Sequence, residues 1–178
     1  NTGTSSPRSV TNFGDADVFY LDESGLRSMR ARDSSNTAST NDIGVAVDSL
    51  ITAKLATLSP AERQQVVGLI EPTGGRFWLV MKDQIFVFSF FGGSKISAWT
   101  TYDTTYRLDG ETVAFDVTDA VVLDRRVYLR YTDEILVYGG SSGDLVHDDT
   151  EDEAWLPYID ANDPTRKKQF SALDVALR

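Results

Sequence analysis

The stretch Arg76–Phe90, RFWLVMKDQIFVFSF, decides the fold of this chain. Two runs of strand-forming aromatic and aliphatic residues flank the polar residues Lys82, Asp83 and Gln84, and this pattern is typical of a β-hairpin. Both runs are apolar almost without interruption. We therefore expect this hairpin to be buried on both of its faces rather than on one.

The same phrase occurs twice more, as DVFYLDESGLRSM at Asp17–Met29 and as RVYLRYTDEILVY at Arg126–Tyr138. A hairpin that recurs at wide spacing is typical of blade-type β architectures, in which each sheet is covered by its neighbours. The sequence therefore predicts a mainly β, propeller-like fold. Because three hairpins are too few to close a propeller, we expect an incomplete set of blades in a fragment of a longer protein.

A helical pattern separates the first hairpin from the second. One apolar face with three-four spacing is formed by Ile43, Val47, Leu50, Ile51, Leu55 and Leu58. Together with the second helix described next, this pattern predicts a helical insertion at about 41–71. The chain as a whole, 1–178, is predicted to be one mostly-β domain that contains this insertion.

A second, short helix is predicted to begin directly after the first. Ser59 is a good N-cap, Pro60 suits the first helical position and Glu62 completes a capping box. We expect this helix to stop at Glu71, because Pro72 disfavours helical backbone at the residue before it.

Composition and charge narrow the classes of function. The chain has 178 residues, 41% of them hydrophobic, a formal net charge of −10 and no cysteine. The absence of cysteine excludes disulfides and thiolate metal sites. An acidic chain repels phosphate backbones, so at most a passive contact with DNA is expected. No apolar run reaches membrane-spanning length, and no membrane contact is predicted.

One string resembles a hydrolase motif. Gly139–Gly143, GGSSG, matches G-x-S-x-G, and a hydrolase would need Ser141 beside His147. The residues that follow lack the helical period that a nucleophile elbow requires, so a flexible turn is the favoured interpretation. The acidic residues of 144–153 offer oxygen ligands for Ca²⁺, but the EF-hand spacing and its glycine are missing. A solvated acidic loop is favoured there.

Other candidate residues have structural explanations. The carboxylates of Asp83, Asp103 and Glu134 could meet in space as in a glycosidase, yet they fall largely in hairpin turns. A stacking platform could be formed by the aromatic residues Trp78, Trp99, Tyr102 and Tyr106. Core packing is favoured because Trp78 lies inside an apolar strand. We predict no catalytic, cofactor-binding or metal-binding residue, and no enzyme activity.

Three groups of phrases, in chain order, resemble one family. They are Pro7–Val10 with Asp17–Met29, Arg76–Val80 with Val87–Phe91 and Lys95–Trp99, and Tyr158–Asp160 with Arg166–Phe170 and Ala172–Val175. They look like phrases of the tail tubular, or nozzle, proteins of short-tailed phages and of the related tail-hub proteins described as packaged-DNA stabilisation proteins. The resemblance covers most of this chain but only the middle or late part of such proteins.

The resemblance implies a structural role in a virion. Members of the family form a ring below the portal, seal the packaged genome and conduct it during ejection. It thus implies a phage or prophage tail protein whose partners are copies of itself and other tail or portal proteins. The helix Ile43–Leu58 and the loop 141–153 are the predicted contact elements. The alternative is a carbohydrate- or protein-binding β module with Trp99 and Tyr102 exposed.

Overall fold

The computed structural model describes residues 3–15, 17–29, 43–91, 96–108 and 111–139. All of these residues belong to one compact unit, Asn1–His147. Within them the protein is mainly β, with four antiparallel sheets and two α-helices. The predicted fold class is therefore confirmed at this level.

The elements follow one another in short connections. They are a 3-10 turn at Pro7–Ser9, β1 (Thr11–Phe13), β2 (Asp17–Asp22), β3 (Gly25–Ser28), α1 (Asp48–Thr57), α2 (Pro60–Gln64), β4 (Val67–Glu71), β5 (Arg76–Met81), β6 (Gln84–Phe91), β7 (Ile96–Asp103), β8 (Thr105–Leu108), β9 (Glu111–Ala114), β10 (Asp119–Leu123), β11 (Arg126–Tyr131) and β12 (Glu134–Val137). The sheets are β1-β2-β3, β4-β5-β6-β7, β8-β9 and β10-β11-β12. Each is a simple antiparallel meander.

The four-stranded sheet β4–β7 is the centre of the fold. Successive residues of a strand point to opposite faces, and in β5 both sets are buried. Phe77 and Leu79 enter a core on one face, whereas Trp78 and Val80 enter a core on the other. The expectation that Arg76–Phe90 is buried on both faces is confirmed for β5 and for Ile85–Phe88 of β6.

The first core lies between the central sheet, the sheet β1–β3 and helix α1. Its buried members are Phe19, Leu21, Leu26, Val47, Ile51, Leu55, Leu58, Val66, Phe77, Leu79, Met81, Phe86 and Phe88. It is rich in aromatic rings: Phe19 stacks on Phe13 at 4.7 Å between centroids and meets Phe77 edge-on at 5.3 Å.

The second core lies on the opposite face of the central sheet, against β10–β12. Its buried members are Val67, Leu69, Trp78, Val80, Ile85, Val87, Phe115, Val117, Ala120, Val127 and Leu129. Trp78 is its largest fully buried side chain. The two cores place β1–β3 with α1, the central sheet and β10–β12 in three successive layers.

The three recurring phrases form three hairpins, as predicted. They are β2–β3, β5–β6 and β11–β12, and two residues connect the paired strands in each case. Lys82 and Thr132, the first turn residues of the second and third hairpins, have positive φ of 41° and 49°. Positive φ at this position matches a two-residue turn to the strand twist.

Corresponding strand positions of the hairpins face the same way along the stack. Phe19 of the first hairpin packs toward the central sheet, and Trp78 at the same position of the second packs toward β10–β12. Phe77 and Val127, one position earlier, pack toward the preceding layer. The layers are therefore repeats stacked with one polarity.

The helical insertion is confirmed in part. Helix α1 covers only Asp48–Thr57, and Ile43–Val47 forms turns. Val47, Ile51 and Leu55 are buried as the spacing predicts, but Leu50 is 57% exposed. The predicted apolar face is wider than the face that packs, because successive residues of a helix point about 100° apart and Leu50 points away from the core.

The predicted end of the second helix is wrong. Its capping box is present: Ser59 Oγ accepts the Glu62 N–H at 3.3 Å, and the Ser59 N–H donates to Glu62 Oε2 at 2.7 Å. However, α2 ends at Gln64 and Val67–Glu71 is strand β4. Pairing with β5 and burial of Val67 and Leu69 stabilise an extended backbone that the proline rule does not reveal.

The propeller prediction is not confirmed. The four sheets of the described ranges are separate, and they form no closed barrel or propeller. The predicted strand Val113–Val117 is also shorter than expected. Its first two residues belong to β9, which pairs with β8, and the chain is irregular from Phe115 to Thr118.

Candidate interaction surfaces

The hydrolase-like string and the acidic loop lie outside the described residues. Only Gly139 of the string is described, and its φ is +84°, a turn conformation that favours glycine. Ser141, His147 and the acidic residues of 144–153 fall after it, so their predictions stay predictions. Among the residues that are described, no group of three or more histidine, aspartate or glutamate side chains could hold a metal ion.

The three carboxylates considered for glycoside chemistry lie at strand ends and turns. Asp83 is in the β5–β6 turn, Asp103 ends β7 and Glu134 begins β12. Asp83 forms an ion pair with Lys54 of α1. Partial burial raises the pKa of Asp83, but the hydrogen bond and charge of Lys54 outweigh it, so the net pKa lies below the ordinary value. Asp83 is thereby held as a carboxylate that ties the hairpin to the helix.

The aromatic residues considered for a stacking platform are packed into the two cores. Trp78 is fully buried and meets the rings of Tyr102 and Tyr138 edge-on at 5.6 and 4.8 Å. Trp99 is half-buried, and its Nε1–H donates to the Ile43 carbonyl at 3.1 Å. Tyr106 packs edge-on against a core phenylalanine. These rings do not form an open platform.

Polar groups at the edge of the second core also serve the packing. The Arg76 guanidinium donates to the Tyr102 hydroxyl at 2.9 Å. Burial, and after it the nearby Tyr102 and Glu71, raise the pKa of Tyr138. The carboxylate of Glu71 in turn accepts the Thr73 and Gly74 backbone N–H groups of the following turn. A structural role accounts for each of these contacts.

A charged cluster fixes the tip of the central hairpin. The Lys82 ammonium lies 2.8 Å from a Glu62 carboxylate oxygen and 3.6 Å from one of Asp116. The Lys82 hydrogen bond, with those from the backbone and hydroxyl of Ser59, lowers the pKa of Glu62 to about 2. The same contact, followed by the charge of Asp116, raises the pKa of Lys82. The cluster links α2 to the chain that enters β10.

The first outward surface is the exposed side of α1 and of the turn before it, which we call the helix surface. Its exposed members are Val45, Ala46, Ser49, Leu50, Ala53, Ala56 and Thr57. None of them is charged, although a surface helix usually presents charged residues to solvent. Val45 is 50% exposed and Leu50 57%.

The second outward surface is the face of β10–β12 that points away from the central sheet, which we call the sheet surface. The strand register places on it Asp119, Val121, Leu123, Arg126, Tyr128, Arg130, Ile135 and Val137. Leu123 and Ile135 are 60% and 71% exposed. Arg8 forms an ion pair with Asp119, and its hydrogen bond lowers the pKa of Asp119. The surface is apolar with a positive net charge.

The two surfaces lie on opposite sides of the three layers, because α1 packs on one face of the central sheet and β10–β12 packs on the other. The sequence located the helix Ile43–Leu58 as a contact element, but it did not reveal the sheet surface. The available signal was the run Val121–Leu123, which does not alternate between apolar and polar residues as a strand with one solvated face should.

Comparisons with known proteins found no relative. No protein-family model matches the chain, and no curated protein or solved structure matches it. Neither helix in the described part of the chain is long and apolar enough to cross a membrane.

Proposed function

We propose that this chain is a structural component of a phage or prophage tail, and that it forms part of a ring that seals and conducts packaged DNA. The observation that carries the proposal is the stack of three meanders built on one recurring hairpin, with corresponding residues facing the next layer. Stacked sheets of this kind make a stiff wall, because each layer is held by close packing with its neighbours.

The phrases that resemble the tail proteins coincide with these hairpins. Asp17–Met29 supplies β2–β3, and Arg76–Val80 with Val87–Phe91 lies in the central sheet. We propose further that the three meanders are blades of a propeller-like module. In the virion, this module would act as a rigid scaffold and its outward surfaces would contact neighbouring subunits.

The charge of the chain is consistent with a conduit. A formal net charge of −10 disfavours tight binding of a phosphate backbone, since DNA affinity comes chiefly from lysine and arginine that displace counterions. DNA would therefore pass without adhering. In this role, contact between the protein and DNA is passive.

The alternative of a carbohydrate-binding module is less well supported. It required Trp99 and Tyr102 to be exposed, whereas both are half-buried. Their polar atoms are also engaged, with the Ile43 carbonyl and the Arg76 guanidinium respectively. The observed packing therefore favours an architectural role over a stacking platform for sugars.

The proposal can be tested in the phage or prophage whose genome carries the gene. Particles purified by density gradient should contain peptides of this chain by mass spectrometry. Particles from a strain that lacks the gene should be tailless or should lose DNA to nuclease, and a plasmid copy of the gene should restore them. Intact, DNA-filled particles without the gene product would refute the role.

A further inference from the structure

We propose that copies of this chain associate head to tail, with the helix surface of one copy packed on the sheet surface of the next. This inference rests on the proposed structural role only in taking a second copy as the partner. The surfaces themselves are defined by the strand register and by the exposure of their side chains.

Both surfaces expose apolar groups that ordinarily face a partner. On the sheet surface, Val121, Leu123 and Ile135 are each more than half exposed and lie on three adjacent strands. On the helix surface, Val45 and Leu50 are at least half exposed among alanine, serine and threonine. Clustered apolar exposure of this kind marks interaction surfaces, whereas isolated exposed residues do not.

The polarity of the stack favours a heterologous contact. At the two internal boundaries, the position of Phe19 and Trp78 faces the next layer and is covered by it. Tyr128 holds the same position in the third hairpin and lies on the sheet surface, where no described layer follows. A second copy that presents the opposite end of its own stack would continue the order.

Charge favours the same arrangement and opposes a symmetric one. Two copies with a net charge of −10 repel one another in general, so contacts form most readily where negative charge is lowest. The helix surface exposes no charged residue, and the sheet surface carries Arg126 and Arg130 against an Asp119 already paired with Arg8. Two sheet surfaces packed together would bring like charges into contact, whereas a helix surface would not.

Contact between opposite ends has a geometric consequence. A heterologous interface leaves one unfilled surface of each kind on a dimer, so association continues until a ring closes or a filament forms. Symmetric pairing would stop at two copies. The size distribution of cross-linked species therefore distinguishes the two arrangements.

The absence of native cysteine allows a direct test by disulfide cross-linking. In the full chain, the double variant Leu50→Cys with Ile135→Cys should give, under mild oxidation, a ladder of species beyond the dimer. Each single variant should stay monomeric on the same gel, because its cysteine meets no cysteine in a head-to-tail contact. Glu23→Cys with Glu111→Cys, two exposed positions outside both surfaces, controls for random collision.

A non-covalent measurement completes the test. Ile135→Asp places a carboxylate on the sheet surface and should weaken self-association by about tenfold or more in sedimentation velocity. Its circular dichroism should be unchanged, because Ile135 contributes little to the core. Dimers from Ile135→Cys alone would indicate symmetric pairing and overturn the proposal. Absence of any ladder, or a ladder equal to that of the control pair, would also overturn it.

The outcomes separate this inference from the proposed function. If phage particles contain the protein but the ladder fails, the assignment of surfaces is wrong and the structural role stands. If the ladder forms but the particles lack the protein, head-to-tail association stands and the tail role is wrong.

Discussion

The central hairpin Arg76–Phe90 and the C-terminal hairpin Arg126–Tyr138 share one phrase and one two-residue turn, but they occupy different environments. In the central hairpin, residues of both strand faces are buried in the two cores. In the C-terminal hairpin, only the face with Val127 and Leu129 is covered. The difference shows that the recurring phrase specifies the hairpin, while its neighbours specify how much of it is buried.

The sequences of the two hairpins already differ in the corresponding way. At the positions of Leu129 and Arg130, apolar and charged residues alternate, whereas Leu79 and Val80 of the central hairpin are both apolar. Ile135 breaks the alternation, because it is apolar and 71% exposed. Such an exception on an exposed face is the feature that marks a contact surface.

Removal of the largest side chain of the second core should break the central layer. Trp78→Ala is expected to lower the free energy of unfolding by about 3–5 kcal/mol, because a fully buried indole leaves a cavity. Tyr128→Ala, at the same position of the half-exposed C-terminal hairpin, should cost clearly less. Urea denaturation followed by circular dichroism measures both. Equal losses would contradict the difference in burial between the two hairpins.

A single methyl group should test how closely the central sheet is covered. At Gly68 of β4, a Cβ atom would lie 2.4 Å from the Ser9 carbonyl oxygen of the 3-10 turn. Gly68→Ala is therefore expected to cost about 1–3 kcal/mol, since backbone must move to accept it. Gly3→Ala is the matched control, because nothing lies within 4 Å of its Cβ position. Unchanged thermal unfolding of Gly68→Ala would show that the layers pack more loosely.

The charged cluster at the tip of the central hairpin should give stability a pH dependence. The pKa of Glu62 is lowered from 4.5 to about 2, so its contribution is fully present above pH 4.5 and is lost as the pH falls toward 2. Glu62→Gln should therefore be less stable than the parent at neutral pH, and the gap should narrow through this window. Urea midpoints at several pH values measure it, with Glu111→Gln as an exposed control. A gap independent of pH would refute the linkage.

The smallest effect is expected on the sheet surface. Ile135→Ser should change the free energy of unfolding by no more than about 0.5 kcal/mol, because the side chain is mostly exposed. Leu129→Ser, on the buried face of the same sheet, should be much more destabilising. Chemical denaturation at low protein concentration separates stability from association. A large loss for Ile135→Ser would indicate that this face is covered within one copy.

The turns and capping signals of the chain were predictable because they act over a few residues. The three hairpins follow from strand-forming runs around polar pairs, and the capping box at Ser59 follows from side chains that bond their own backbone neighbours. Strand β4 was missed because its extended backbone depends on pairing with β5. The exposure of Leu50 was missed because spacing alone does not locate the packed side of a helix.

The sequence by itself determined the recurring hairpins, the helical insertion, the acidic charge and the lack of cysteine chemistry, because these depend on residue type and short-range pattern. Only the tertiary structure decided that Trp78 packs inside the stack, that β4 joins the central sheet, and that Leu50 and Ile135 point outward on opposite sides. The physical reason is that burial belongs to contacts between layers. Residues that are distant in the chain make those contacts, and no local pattern encodes them.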